Sequence, residues 1–180
     1  MAAADISRPS GPSLYEYFLG GSDHRPADEA LAAELEAAYP GAGQLARDNR
    51  AFTLRAVQWC ASMLGTGLFL ELGAGYPCGQ AVHDAARRGV TDATVIYADR
   101  DPVVVSHCRA VYAGLEGVGV VSGDVREPGK VLESAAALGA DLTEPAACVL
   151  CGTLSSMDAE TARSVVAGFA CALPVRGSCE

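Results

Sequence analysis

Phe69-Leu70-Glu71-Leu72-Gly73-Ala74-Gly75 decides the fold. A short apolar run, 68–72, ends in Gly-x-Gly, and a helix is predicted over 79–88. A strand running through a glycine loop into a helix is the opening unit of a parallel α/β sheet: the glycines let a ligand approach the backbone, and a helix N-terminus offers free N–H groups. Downstream the same alternation repeats. Strands are predicted at 94–98, 118–122 and 146–151. Helices are predicted at 102–113, where Pro102 sits in the first turn and Asp101 caps it, at 130–138, and at 158–172, with Val165, Val166, Phe169 and Leu173 along it. Apolar strands alternating with helices indicate a parallel sheet covered on both faces.

Upstream the sequence is helical. Residues 1–12 read as a disordered N-terminus. Ser13-Leu-Tyr-Glu16 fits a capping box opening a helix over 13–19, stopped by Gly20-Gly21-Ser22-Asp23. A second helix is expected over 27–39. A third, over 44–64, carries Leu45, Phe52, Ala56, Trp59 and Met63 on one face, which is expected to be buried. Asn49 falls on that same stripe and needs a partner. Gly65 and Gly67 close this helix. The expected organisation is a helical N-terminal extension or lid, 13–66, before a Rossmann-like domain, 67–180. A turn at 174–177 should launch a fifth strand, so the sheet reads as incomplete at its C-terminal end. Its fourth strand would keep an unpaired edge, with which a homodimer is compatible.

Composition narrows the function. The 180 residues carry 13 basic and 22 acidic side chains, a net charge of −9, and half are hydrophobic. That sustains one globular domain and argues against a broad nucleic-acid surface, which needs a basic stripe. Lys130 is the sole lysine; the Ala, Gly and Arg richness suits a high-GC bacterial genome. Met1–Gly11 has no basic segment leading into an apolar run, and no stretch approaches the roughly 20 apolar residues of a membrane span. A cytoplasmic protein is expected, its seven cysteines being thiols. Cys148-x-x-Cys151 has no second pair and no nearby histidine, so buried small side chains are expected rather than a metal site.

An acid at the tip of the second strand, Asp99, suits the two hydroxyls of a ribose, and Asp124 after the third strand suits an adenine edge. The dinucleotide fingerprint GxGxxG is broken here, because Gly79 comes late and Pro77 sits inside the loop. Glu71 would repel phosphates but could hold an ammonium. These charges favour S-adenosylmethionine (SAM), with its amino-acid tail and sulfonium, over a diphosphate.

At this point the chain resembles an actinobacterial family of SAM-dependent methyltransferases long filed as a domain of unknown function. The residues that carry the resemblance are Tyr15-Glu-Tyr-Phe-Leu-Gly-Gly-Ser-Asp23, Ala46-Arg-Asp-Asn-Arg-Ala-Phe52, Glu71-Leu-Gly-Ala-Gly-Tyr-Pro77, Val95-Ile-Tyr-Ala-Asp-Arg-Asp-Pro-Val103 and Gly123-Asp-Val-Arg-Glu-Pro128. The resemblance implies a class I methyltransferase sheet with an added helical N-terminus, and cofactor contacts at Glu71, Gly73, Ala74, Gly75, Asp99, Arg100, Asp124 and Val125. The family usually carries Lys where Ser22 stands, Asn where His24 stands, and Leu-His-Phe where Leu154-Ser155-Ser156 stands; its chains also run on for roughly another third.

Methyl transfer needs positioning more than acid–base chemistry, so no triad is expected. Tyr15, Tyr17, Asp23, His24 and Ser155 are the polar candidates beside the methyl acceptor, with Tyr15, His24 and Ser155 as catalytic candidates. Asn49 and Arg50 are candidates for closing the pocket. His83 and His107 are expected to be structural. A small-molecule acceptor is expected, with no nucleic-acid or membrane partner. Two other readings stand beside this one: a non-catalytic remnant that binds a nucleoside or a partner protein, and an NAD-dependent oxidoreductase.

Overall fold

The computed structural model describes residues 8–174. Leu68–Leu72 (β1) lies inside a parallel sheet of order β3-β2-β1-β4, with Thr94–Asp99 (β2), Val118–Ser122 (β3) and Ala146–Val149 (β4). Leu70 sits opposite Ile96 on one side and Cys148 on the other. Side chains alternate across the sheet. Leu68, Leu70, Leu72, Ile96 and Ala98 face a core built with Val131 and Leu132 of Pro128–Ala137 (α6) and Val165 and Phe169 of Ala159–Ala172 (α7). Phe69, Val95 and Tyr97 face the other core, with Val57 and Ala61 of Ala42–Leu64 (α3) and Val82, Ala85 and Ala86 of Val82–Ala86 (α4). β1 is buried throughout and β2 nearly so, whereas β3 and β4 are largely half-buried. The apolar strand runs therefore describe the centre of the sheet and not its edges. Among the described residues β4 pairs with β1 alone. The expected turn at 174–177 lies almost wholly outside the described residues.

Three expectations are corrected. Gly11–Phe18 (α1) starts earlier than the capping box suggested: Ser10 is the cap, accepting from the Ser13 backbone N–H at 3.3 Å. Residues 8–12 therefore lead into and begin a helix instead of belonging to a disordered tail. Ser13 turns inward, and its hydroxyl donates to Asp28, in Pro26–Ala38 (α2), at 2.7 Å. The second correction is the orientation of α3. Its large apolar stripe faces solvent, with Leu45 71%, Phe52 63%, Trp59 55% and Met63 69% exposed. The buried positions are the small ones, Gly43, Ala46, Thr53, Val57 and Ala61. Both faces read as helical periodicity, but only small side chains let the helix lie close to the sheet and to the end of α4, where a Cβ on Gly89 would stand 2.4 Å from the Ser62 nitrogen. Third, α4 is a single short helix opening at Val82, well past the glycine loop. Asp101 caps Pro102–Val111 (α5) as expected, taking the Val103 N–H at 2.8 Å. Among the described residues no helix is long and apolar enough to cross a membrane.

Candidate functional site

The strand order reverses beside β1: β2 and β3 lie on one side of it and β4 on the other. Ligands of open α/β sheets bind outside the carboxyl ends of the strands at such a reversal. A half-open cavity of about 1250 Å³ occupies that place, lined on one side by α1 and the first turns of α3. Glu71, Gly73, Ala74, Gly75, Asp99, Arg100, Asp124 and Val125 all line it, as do Tyr15 and Ser155. His24 does not. Its Nδ1 lies 3.1 Å from Glu16 and its Nε2 3.4 Å from Glu29, so this imidazole is held between carboxylates away from the cavity wall.

The end of β1 carries an unforeseen pair. Glu71 is 3% exposed and points to the α3 face of the sheet, where Arg50 Nη1 donates to it at 2.7 Å. Burial pushes the Glu71 carboxyl up, against the pull of Arg50. Arg50 also donates to the Gln80 carbonyl at 3.1 Å, while its Nε is buried without a partner. The Glu71 charge is thus balanced within the chain, which corrects the expectation of a carboxylate free to hold an ammonium.

Discrimination against a diphosphate rests elsewhere. Gly73 and Gly75 both have positive φ, which favours glycine. A Cβ on Gly73 would lie 2.3 Å from Thr153 Oγ1, the hydroxyl that donates to the Leu72 carbonyl at 2.8 Å. Beside Gly75 the space is open. The Gly75 N–H donates to Asp99 Oδ2 at 3.0 Å, and the Gly73 and Ala74 N–H groups both donate to the Ala98 carbonyl. The loop amides that would cradle phosphate are therefore engaged. The start of α4 is covered too, since Asp84 takes the Ala81 N–H at 3.0 Å. The N–H groups of Gly73, Ala74 and Gly75 are thus not free to receive a diphosphate.

Asp99 is nearly buried. Gly75 N–H satisfies one of its oxygens and Asp101 N–H, at 2.9 Å, the other, which leaves further lone pairs toward the cavity. Asp124 is gripped by Arg126, whose Nε donates to Oδ1 at 2.9 Å and whose Nη2 donates to Oδ2. Hydrogen bonds from Arg126 hold its pKa down at about 2. Arg100, mostly exposed, stands 3.8 Å away. The Val125 side chain belongs to the core beneath.

The N-terminal wall is organised by Glu16. Its buried carboxylate accepts the Asp23 N–H at 2.9 Å and leaves no room for a side chain on Gly21, which explains the tight Gly20-Gly21 turn. Asp23 reaches His107 at 3.8 Å, and the His107 ring packs edge-on to Tyr76. Tyr17 is exposed and packs edge-on against His24. Tyr15 reaches further in. Its hydroxyl donates to the Ala46 carbonyl at 3.2 Å and lies 3.6 Å from Cys151 Sγ. Asn49 donates to the same sulfur at 3.1 Å and to the Tyr15 oxygen at 3.4 Å. Burial, with Cys151 beside it, pushes the Tyr15 pKa up to about 12. The Ser155 hydroxyl donates to the Gly152 carbonyl at 2.6 Å.

Sequence reasoning missed Cys151 and Thr153. Asn49 on an apolar stripe was the usable signal, and Cys151 turns out to be one of its partners. Cys148 packs against the core, as expected. His83 is structural, its Nδ1 lying 2.8 Å from the Tyr97 hydroxyl. Among the described residues no cluster of three or more His, Cys, Asp or Glu could hold a metal.

Comparison with known proteins accords with this geometry. The S-adenosyl methyltransferase family profile matches residues 1–180. The crystal structure of a methyltransferase candidate from Thermobifida fusca superposes with a TM-score of 0.89 at 35% identity, covering 94% of this chain and 64% of the other. That of a DUF574-family protein from Streptomyces avermitilis gives 0.88 at 26% identity, covering 94% and 66%. The chain thus spans just under two thirds of the length of both. No curated protein matches it. With the profile matching end to end and the four-stranded parallel sheet shared, the chain belongs to the S-adenosyl methyltransferase family.

Proposed function

We propose that this protein binds SAM across the carboxyl ends of β3, β2 and β1 and transfers its methyl group to a small molecule in the cytoplasm. The single observation that carries this reading is the convergence of Asp99, Asp124 and the Gly73–Gly75 loop on one cavity whose loop amides are already engaged. When bound, SAM supplies an electrophilic methyl group on a sulfonium.

The residues of the chain then hold and orient. The free lone pairs of Asp99 accept from ribose hydroxyls. Asp124 and the Val125 backbone meet the adenine edge, with Arg100 at its rim. Gly75 leaves open space where any other residue would place a Cβ. The Arg50–Glu71 pair balances the charge at the end of β1. Such positioning of two reactants is worth up to roughly 7–11 kcal/mol of barrier.

Calorimetry with SAM and S-adenosylhomocysteine tests the reading. Binding of both is expected, and Asp99→Ala should weaken it by roughly tenfold or more, the loss of a charge-assisted hydrogen bond. Absence of heat with either, in a folded sample, refutes it.

A further inference from the structure

Among the described residues the cavity is lined by three basic side chains, Arg50, Arg100 and Arg126. Arg100 and Arg126 both face Asp124, at the β3 end. Arg50 is the cation at the β1 end, beside Glu71. Neighbouring strands lie about 4.8 Å apart. A nucleoside whose base meets β3 and whose ribose meets β2 therefore carries its 5′ substituent toward β1, next in the sheet order.

We infer that Arg50 binds the carboxylate of the cofactor's amino-acid tail, and that with Glu71 it selects a zwitterionic tail over a phosphate. The inference rests on the cofactor reading above and deepens it.

Arg50 has donors to spare. A guanidinium carries five N–H groups. One on Nη1 goes to Glu71 at 2.7 Å and one on Nη2 to the Gln80 carbonyl at 3.1 Å. Nε is sealed in the packing, so any ligand meets the two terminal nitrogens. Each of these keeps a second hydrogen without an acceptor among the described residues. The side chain is 16% exposed and lines the cavity. With so little water around it, an added charge-assisted hydrogen bond is a strong one. Ala46, Thr53 and Val57, small and buried, hold α3 against the sheet and so bring Arg50 to the end of β1. Glu71 and Gln80 then fix the guanidinium in advance of a ligand.

Glu71 decides which anion is accepted. An anion on Arg50 stands close to the Glu71 carboxylate and is repelled by it. A phosphate brings up to two negative charges and nothing to offset them. An α-amino acid brings one, with an ammonium on the adjoining carbon. The neutral tail thus matches the neutral pair, and the same arginine serves two carboxylates without a net charge being buried.

Calorimetry tests this with four ligands. They are S-adenosylhomocysteine, its decarboxylated analogue (which keeps the ammonium), 5′-deoxy-5′-methylthioadenosine (which lacks the tail) and AMP. The unaltered protein is expected to bind S-adenosylhomocysteine at least about tenfold more tightly than each of the others. Arg50→Lys should keep part of that preference, because a point charge remains without the planar fork. In Arg50→Met with Glu71→Leu, where apolar side chains replace the pair, the preference should vanish while 5′-deoxy-5′-methylthioadenosine binds as before. A decarboxylated analogue that binds the unaltered protein as tightly as S-adenosylhomocysteine overturns the role of Arg50, whether or not the variants fold. A preference that survives the double replacement overturns it too, and AMP binding as tightly overturns the selection against phosphate. Failure of all four ligands counts against the cofactor reading instead, since 5′-deoxy-5′-methylthioadenosine needs only the Asp99 and Asp124 side of the cavity.

Discussion

Two arginine–carboxylate pairs stand at opposite ends of the same cavity and behave oppositely. Arg50–Glu71, on the α3 face at the end of β1, is largely buried. Arg126–Asp124, beyond β3, has its arginine half in solvent. In the first, burial outweighs the attraction and pushes the acid up. In the second, the hydrogen bonds dominate and hold the acid down at about 2. Desolvation decides the sign: one pair is a neutral block at the end of β1, the other a charged surface at the cavity rim.

The largest test of that contrast is Arg50→Ala. It leaves Glu71 buried without a partner and should cost roughly 3–5 kcal/mol in urea unfolding. A loss no greater than that of a surface substitution would show the pair to be hydrated and the contrast empty. Replacing both members, Arg50→Met with Glu71→Leu, should recover most of the loss, because apolar residues of similar size often substitute for a buried pair.

Next is Asp124→Asn, read by ligand binding. It should weaken S-adenosylhomocysteine by about tenfold, while Arg126→Ala, which frees the carboxylate, should weaken it less. The reverse order would mean that Arg126 itself is the binding group.

The pH dependence separates the pairs by sign. The folded pKa of Asp124 is depressed, so its stabilisation is present above the ordinary value of 3.8 and is lost as pH falls toward 2. That of Glu71 is raised, so its contribution is greatest below the ordinary value of 4.5 and declines as pH rises. Urea melts across this range should show Asp124→Asn flattening the acid limb and Glu71→Gln flattening the opposite one. Both variants flattening the same limb would refute the desolvation argument. The smallest effect expected is on stability in Arg126→Ala: a small loss at pH 7, since exposed pairs contribute little, with the acid limb flattened as in Asp124→Asn because the hydrogen bonds that hold the Asp124 pKa down are gone.

The legible part of this molecule is the part made of short-range signals. The strand starting at Leu68 and its glycine loop, the acid ending β2, the Asp101 cap and the alternation of elements each depend on residues close in sequence. So did the gathering of Asp99, Asp124 and the loop, because a parallel sheet puts all its strand ends on one side. The face of α3 that packs was not legible: Phe52 and Trp59 have the periodicity of a core, and so do Val57 and Ala61, and no local rule says which the sheet can accommodate. Glu71 read as a free carboxylate because its partner lies on another element. Ser13 fits a cap by pattern but is drawn inward by Asp28, so the cap falls to Ser10.

What this sequence determines unaided is a parallel α/β frame with a glycine loop and two acids at its open end, since hydrophobic period and turn chemistry are properties of neighbours along the chain. The tertiary structure alone decided which charges remain available there. Arg50 reaching Glu71, the Gly75 N–H closing on Asp99, and Tyr15 and Asn49 meeting at Cys151 join residues from different elements, and the free energy of each contact depends on how much water the packing leaves beside it.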